Sequence, residues 1–226
     1  MSINHRIIDA NLADVQSRIE AALSRSGRPA GSVTLVAVTK SVGVEEVQAL
    51  AQRGVVHFGE NRLAGILAKR DRLPESLRWH MIGTVQRRKA KDVIGLFDTV
   101  DSVDRLELAE ELNKRSEGRP GPLPVLVEVN VSGEASKHGF EPESFAHALD
   151  RMRQLKCIDV QGVMTMAPFE LEAERVRPVF ARLAKLAQSH GLPRISMGMT
   201  NDFEIAIEEG ATEVRIGSAL FERREE

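Results

Sequence analysis

Apolar residues recur at Ile8, Leu12, Val15, Ile19 and Leu23, in steps of four, three, four and four, with polar residues between them. This spacing draws one apolar stripe along a helix, and Gly27 with Pro29 supplies its stop. From Val33 onward the texture changes to short β-branched runs alternating with longer helical patterns. The runs predict strands over 33–38, 55–58, 79–82, 97–100, 125–131, 160–164, 195–197 and 214–216. Helical patterns follow over 44–53, 62–72, 86–94, 105–115, 143–154, 172–190 and 202–208, with a short tail after Gly217.

Strict alternation implies parallel pairing through right-handed crossovers. Eight such units predict an α/β protein folded as a single (β/α)8 TIM barrel over 33–221, with an extra N-terminal helix within 1–27, so that 1–226 reads as one domain. The alternative is an open doubly wound sheet. Its nucleotide fingerprint is absent, because the first strand runs into Thr39-Lys40 with no Gly-x-Gly-x-x-Gly or Walker-type loop. There is no internal repeat, and Gly118-Arg119-Pro120-Gly121-Pro122 reads as an ordinary loop.

Composition narrows the function classes. The 31 Lys and Arg against 33 Asp and Glu leave a formal charge of −2, so the basic footprint of a nucleic-acid binder is missing; Arg87-Arg88-Lys89 with Lys91 reads as a solvated helix face. The Arg223-Arg224-Glu225-Glu226 end reads the same way. One cysteine, Cys157, allows neither an intrachain disulfide nor a multi-cysteine metal site, and reads as a small half-buried hydrophobe. His57, His138, His147 and His190 show no metal-ligand spacing. No apolar stretch approaches the roughly 18–20 residues that cross a bilayer, and the amino terminus lacks a charged-then-apolar signal pattern. The expectation is a cytoplasmic protein that is neither secreted nor membrane-spanning. No apolar helix face marks a dimer interface, and a monomer is expected.

In such a barrel the chemistry sits at the carboxyl ends of the strands. The first strand delivers Lys40, where partial desolvation would favour the neutral amine that captures aldehydes. The second delivers Gly59, Glu60 and Asn61, the fourth Asp101 and Ser102, the fifth Asn130 and Ser132. After the last two strands come Ser196-Met197-Gly198-Met199-Thr200-Asn201-Asp202 and Ile216-Gly217-Ser218-Ala219. Glycines that let backbone approach, hydroxyls that donate, and amides at a following helix start suit a phosphate. Arg215 lies inside a strand covered on both faces, so its charge must reach the mouth or find a buried partner. Lysine for an aldehyde, a phosphate cup and an arginine at a ring position together describe a pyridoxal phosphate site.

Several motifs carry a more specific likeness. Val36-Ala37-Val38-Thr39-Lys40, His57-Phe58-Gly59-Glu60-Asn61, Trp79-His80-Met81-Ile82-Gly83, Val129-Asn130-Val131-Ser132-Gly133-Glu134 with Ser136-Lys137-His138-Gly139-Phe140, Gly162-Val163-Met164, Ser196-Met197-Gly198-Met199 and Val214-Arg215-Ile216-Gly217 run in order from about Val33 to Phe221. The series closely resembles the YggS/PROSC family, the pyridoxal phosphate homeostasis proteins. The resemblance implies an alanine racemase-like barrel with pyridoxal 5'-phosphate held as an internal aldimine on Lys40. It implies Arg215 at the pyridine nitrogen, Thr200, Gly217 and Ser218 at the phosphate with Met199 in the same loop, and Asn61 beside the ring. His80 and Met164 become candidates for the pocket wall. Family members are regarded as regulators of pyridoxal phosphate supply and of amino-acid and keto-acid balance, without an established catalytic activity. The chain departs from the usual pattern at Thr200, where a Ser is common, and at Arg62, Arg88 and Glu222 on the pocket rims. Lys137 could be a second amine for aldehyde capture; a plain surface lysine is the simpler reading.

The composition bears on catalysis too. An alanine racemase-type enzyme sets a lysine and a tyrosine on opposite faces of the substrate carbon, and this chain has no tyrosine. Arginine facing the ring nitrogen weakens the cofactor as an electron sink, because guanidinium is always a donor. Three readings follow: a carrier that hands the cofactor to pyridoxal phosphate-requiring apoenzymes, a racemase-like enzyme using another base such as His80 or Cys157, and a Schiff-base aldolase on a sugar phosphate.

Overall fold

The computed structural model describes residues 5–134, 137–168 and 172–222; Ser136 and the Arg223-Arg224-Glu225-Glu226 end lie outside them. Eight parallel strands close into a barrel in chain order: β1 (Thr34–Val38), β2 (His57–Glu60), β3 (Arg78–Met81), β4 (Thr99–Val103), β5 (Leu123–Glu128), β6 (Ile158–Met164), β7 (Arg194–Ser196) and β8 (Glu213–Ile216). Closure comes from β1, which pairs with β2 through Val36↔His57 and with β8 through Val36↔Arg215. Around the strands run α2 (Val44–Ala51), α3 (Leu63–Leu67), α4 (Ala90–Leu96), α5 (Leu106–Arg115), α6 (Pro142–Arg153), α7 (Arg177–Ser189), α8 (Phe203–Glu208) and α9 (Ser218–Phe221). The core lies between strands and helices, where Phe58, Trp79, Leu108, Leu112, Phe145 and Phe180 are fully buried.

The amino-terminal stripe has a clear use. In α1 (His5–Arg25), Ile8, Leu12, Val15, Ile19 and Leu23 are all buried. The two last barrel helices have only 6 and 4 residues, too short to cover their strands, and α1 lies across both. Arg18 fixes the seam by donating to Glu204 at 2.8 Å while its guanidinium stacks over Phe203 at 4.6 Å.

The predicted barrel is the observed one, but several boundaries move. The second strand was expected over 55–58 and the fourth over 97–100, whereas β2 and β4 start later and run on through Glu60 and Asp101. Both polar residues are buried, Glu60 paired with Met81 and Asp101 in the register shift between Val100 and Val103, so the strands continue where the apolar pattern stops. The fifth strand ends at Glu128 rather than at 131, with Val129 continuing only as an isolated bridge to Phe140. The helices expected over 62–72 and 86–94 are each divided, by 3-10 turns at Arg70–Arg72 and Arg87–Lys89. Among the described residues no helix is long and apolar enough to cross a membrane.

Candidate functional site

At the carboxyl end of the strands a cavity of about 500 Å³ is lined by Lys40, Asn61, Met199, Thr200, Arg215, Gly217 and Ser218 among others, within the range of small-ligand sites. The seven residues assigned to the cofactor in the sequence therefore meet here, whereas the wall candidates His80 and Met164 do not. Lys40 follows β1, but it is exposed rather than partly desolvated. The reason is local: β1 ends at Val38, buried Thr39 turns from the cavity toward Glu60, and Lys40, on the cavity side, stands at the rim. The Lys40 amine makes no hydrogen bond or ion pair among the described residues.

What fixes the Lys40 segment is a buried ion pair that the sequence did not announce. Lys69 donates to Glu60 Oε1 at 2.5 Å and to the Thr39 carbonyl at 2.6 Å, while the Thr39 hydroxyl donates to the same Glu60 oxygen at 2.7 Å. A charged pair this deep is sustained by added hydrogen bonds, here from the Thr39 hydroxyl to Glu60 and from Lys69 to the Thr39 carbonyl. Next along the rim, Asn61 is half-buried against Gly83. A Cβ at Gly83 would stand 2.3 Å from the Asn61 carbonyl, so the two chains approach this closely only with glycine there.

On β8, the strand beside β1, Arg215 is buried and reaches the cavity. Its guanidinium donates to Ser196 Oγ at 2.7 Å and to the Thr165 carbonyl at 2.8 Å. Among the described residues no carboxylate lies at ion-pair distance from it. Burial pushes the guanidinium below its ordinary value, and the fields of Asp101, Asp202, Glu128 and Glu213 pull it back.

The two terminal loops come together as expected. The Ser218 hydroxyl donates to Thr200 Oγ1 at 3.2 Å, and the amides of Thr200, Asn201 and Ser218 have no acceptor among the described residues. Asp202 holds the first loop by accepting from the Met199 amide at 2.5 Å; burial raises its carboxyl above the usual range. Gly198 sits at φ +90, where a Cβ would lie 2.5 Å from Ala206 Cβ, so only glycine lets the loop turn over α8.

With this geometry in view, the family described as alanine racemase, N-terminal domain, matches residues 10–224. A protein of Aquifex aeolicus named pyridoxal phosphate homeostasis protein is 39% identical over 220 residues, covering 94% of this chain and 96% of its own. The chain belongs to the pyridoxal phosphate homeostasis protein family. Its relative of the same name from Pseudomonas aeruginosa is also 39% identical, over 96% of each chain. Among solved structures, PipY of Synechococcus elongatus with pyridoxal phosphate bound superposes with a TM-score of 0.78 at 31% identity, over 90% of this chain and 99% of that one.

Other expected positions lie elsewhere in this family member. His80 is not in the mouth wall; it sits level with Thr99, the first residue of β4, and lines a cavity of about 630 Å³ at the opposite, amino end. Its ring nitrogens meet Asp101 Oδ2 at 2.7 Å and His57 Nδ1 at 2.9 Å. Burial alone would lower the His80 imidazole, but the adjoining Asp101 carboxylate outweighs it and holds it above the ordinary value. Burial, with His80 next in weight, pushes His57 down to about 4. Asp101 and Ser102 are inside β4 rather than past its end. Met164 is fully buried at the end of β6 and is not among the residues lining the mouth cavity. Cys157 precedes the amino end of β6, away from the mouth. Lys137 is half-buried, donating to the Met166 carbonyl at 2.9 Å and standing 3.2 Å from Glu134, so its amine is engaged rather than offered.

Proposed function

We propose that the carboxyl-end cavity binds pyridoxal 5'-phosphate and that the protein is a cytoplasmic, monomeric holder of this cofactor that supplies it to apoenzymes. The observation that carries this reading is Arg215: a buried guanidinium on the cavity wall, with no carboxylate at ion-pair distance among the described residues. Such a donor calls for an acceptor that is not itself a protein acid. When bound, pyridoxal phosphate supplies a pyridine nitrogen, a phosphate and an aldehyde that an amine captures reversibly. Arg215 donates to the ring nitrogen, and Asn61 lies beside the ring. Thr200 and Ser218 offer hydroxyls to the phosphate, with Gly217 and Met199 as the backbone of the cup. Lys40 provides the anchoring amine, and its backbone is held by Lys69 through the Thr39 carbonyl.

The same residues argue for holding rather than turnover. A guanidinium at the ring nitrogen does not protonate it, and with no tyrosine in the chain the lysine and tyrosine base pair of a racemase is missing. The test is a visible absorption titration with pyridoxal phosphate, wild type beside Lys40→Ala, followed by borohydride fixation and peptide mass spectrometry. A new band lost in the variant, with the fixed adduct on Lys40, is expected. A band of equal intensity in Lys40→Ala, or no band in either protein, overturns the assignment. Light scattering on a sizing column checks the monomer, and cofactor transfer to a pyridoxal phosphate-requiring apoenzyme checks the supply role.

A further inference from the structure

The amino end of the barrel holds a second constellation, on the opposite side from the mouth. His80 from β3, Asp101 from β4 and Glu213 from β8 are all buried there, and one ligand atom of each lies within 4.8 Å of the others. Three features distinguish this group from an ordinary internal ion cluster. Glu213 spends Oε1 on Arg194 at 2.5 Å, yet its Oε2 is buried without a partner among the described residues, a costly state for a charged oxygen. Each other member is held from behind: Asp101 Oδ1 accepts from the Thr99 hydroxyl at 2.8 Å, and His80 Nε2 meets His57 Nδ1 at 2.9 Å. Finally, His80 and Glu213 line the cavity of about 630 Å³, which gives an entry path from solvent.

We propose that His80, Asp101 and Glu213 form a binding site for a divalent transition-metal ion of the zinc type. His80 ligates through Nδ1, the nitrogen now 2.7 Å from Asp101 Oδ2, and the hydrogen of that contact is released to solvent. Its other nitrogen donates to His57 Nδ1, which fixes the tautomer in the way outer partners of metal-bound histidines do. Glu213 contributes the unpartnered Oε2, and Thr99 and Arg194 orient the two carboxylates. Water from the cavity completes the shell. Ligand atoms about 2.0–2.2 Å from a tetrahedral ion stand about 3.3–3.6 Å apart, so the set closes by side-chain shifts of about 1 Å. One imidazole with two carboxylates favours zinc or a neighbouring transition metal over calcium or magnesium, which take mostly oxygen and keep more ligands or waters.

The experiment uses the full chain stripped with a chelator and then titrated with Zn²⁺ by calorimetry, with Co²⁺ as a visible-spectrum reporter. One Zn²⁺ per chain is expected, with Co²⁺ bands of nitrogen and oxygen coordination. Glu213→Gln and Asp101→Asn should each weaken Zn²⁺ binding at least tenfold. Lys40→Ala should leave it unchanged, which separates this site from the pyridoxal phosphate reading. No stoichiometric Zn²⁺ binding by the wild type overturns the proposal without need of any variant. Binding that survives in a folded Glu213→Gln protein, checked by near-ultraviolet circular dichroism, overturns it as well, because the ion then sits on other residues.

Discussion

Glu128 offers the sharpest test of the electrostatics behind the mouth. It closes β5, is buried, and its carboxyl has no hydrogen-bond or ion-pair partner among the described residues. Burial, reinforced by the nearby Asp104 carboxylate and opposed by Arg215, pushes it up from 4.5 to about 7. In the unfolded chain the same group ionises near 4.5, so between these values the folded state binds the additional proton. The group's stabilising effect is fully present below about 4.5 and is lost as the pH rises through about 7. At about 1.4 kcal/mol per pH unit, the loss amounts to at most about 3.5 kcal/mol. Glu128→Gln keeps the shape and removes the titration. Urea unfolding of wild type and variant at several values from pH 5 to pH 8 reads the difference, since titrating groups that do not interact with Glu128, His57 among them, cancel between the two proteins. The variant should gain on the wild type steadily as the pH rises. A difference that stays constant, or that moves the other way, refutes the claim that Glu128 is held protonated by burial.

Other substitutions report on the supports of the site. Glu60→Gln leaves the buried Lys69 ammonium without its carboxylate and should cost about 3–5 kcal/mol in urea unfolding; adding Lys69→Met should recover part of that loss, and a neutral single variant would discount the pair. Gly198→Ala brings a Cβ to 2.5 Å from Ala206 Cβ at φ +90; a loss of about 2 kcal/mol or more with weakened pyridoxal phosphate binding is expected, whereas wild-type values for both would show that the loop can give way. His57, pushed down to about 4, is protonated more readily in the unfolded chain; its contribution is present above its ordinary value of 6.5 and lost as the pH falls toward 4. A His57→Phe protein should therefore show a shallower acid limb in thermal melts than the wild type.

How far the sequence could be read follows from where polar residues were put. The helical stripe of α1 and the alternation of strands and helices were plain, because both rest on apolar periodicity. The ends of β2 and β4 were not, since Glu60 and Asp101 look like loop residues until Lys69, Thr39, His80 and Thr99 are seen around them. The mouth residues were legible because glycine, hydroxyl and charged residues directly follow apolar runs. Lys69 was not, because it comes from the turn between α3 and the following 3-10 segment and its role depends on a contact across the strand end. His80 was misjudged for a different reason: near the end of its own strand, it is level with the start of β4, since the strands of a closed barrel are tilted and staggered. Nearness to a strand's end is then no guide to nearness to the mouth.

The stagger also explains how a guanidinium can remain available inside the barrel. Glu213 and Arg215 are two residues apart on β8, so both point inward, one lining the amino-end cavity and the other the mouth. Arg215 makes no ion pair, yet it lies in the combined field of Asp101 and Glu213 from below and of Asp202 and Glu128 around it. Asp101, Asp202 and Glu213 acting at a distance, joined by Glu128 once the pH passes about 7, keep the charge tolerable without occupying its donors. A direct carboxylate contact would stabilise the arginine more strongly, but it would fill the hydrogen-bonding positions that face the cavity. Distributing the compensation over several strands leaves those positions free for a ligand. This is why the polar interior that obscured the strand boundaries is also what supports the site.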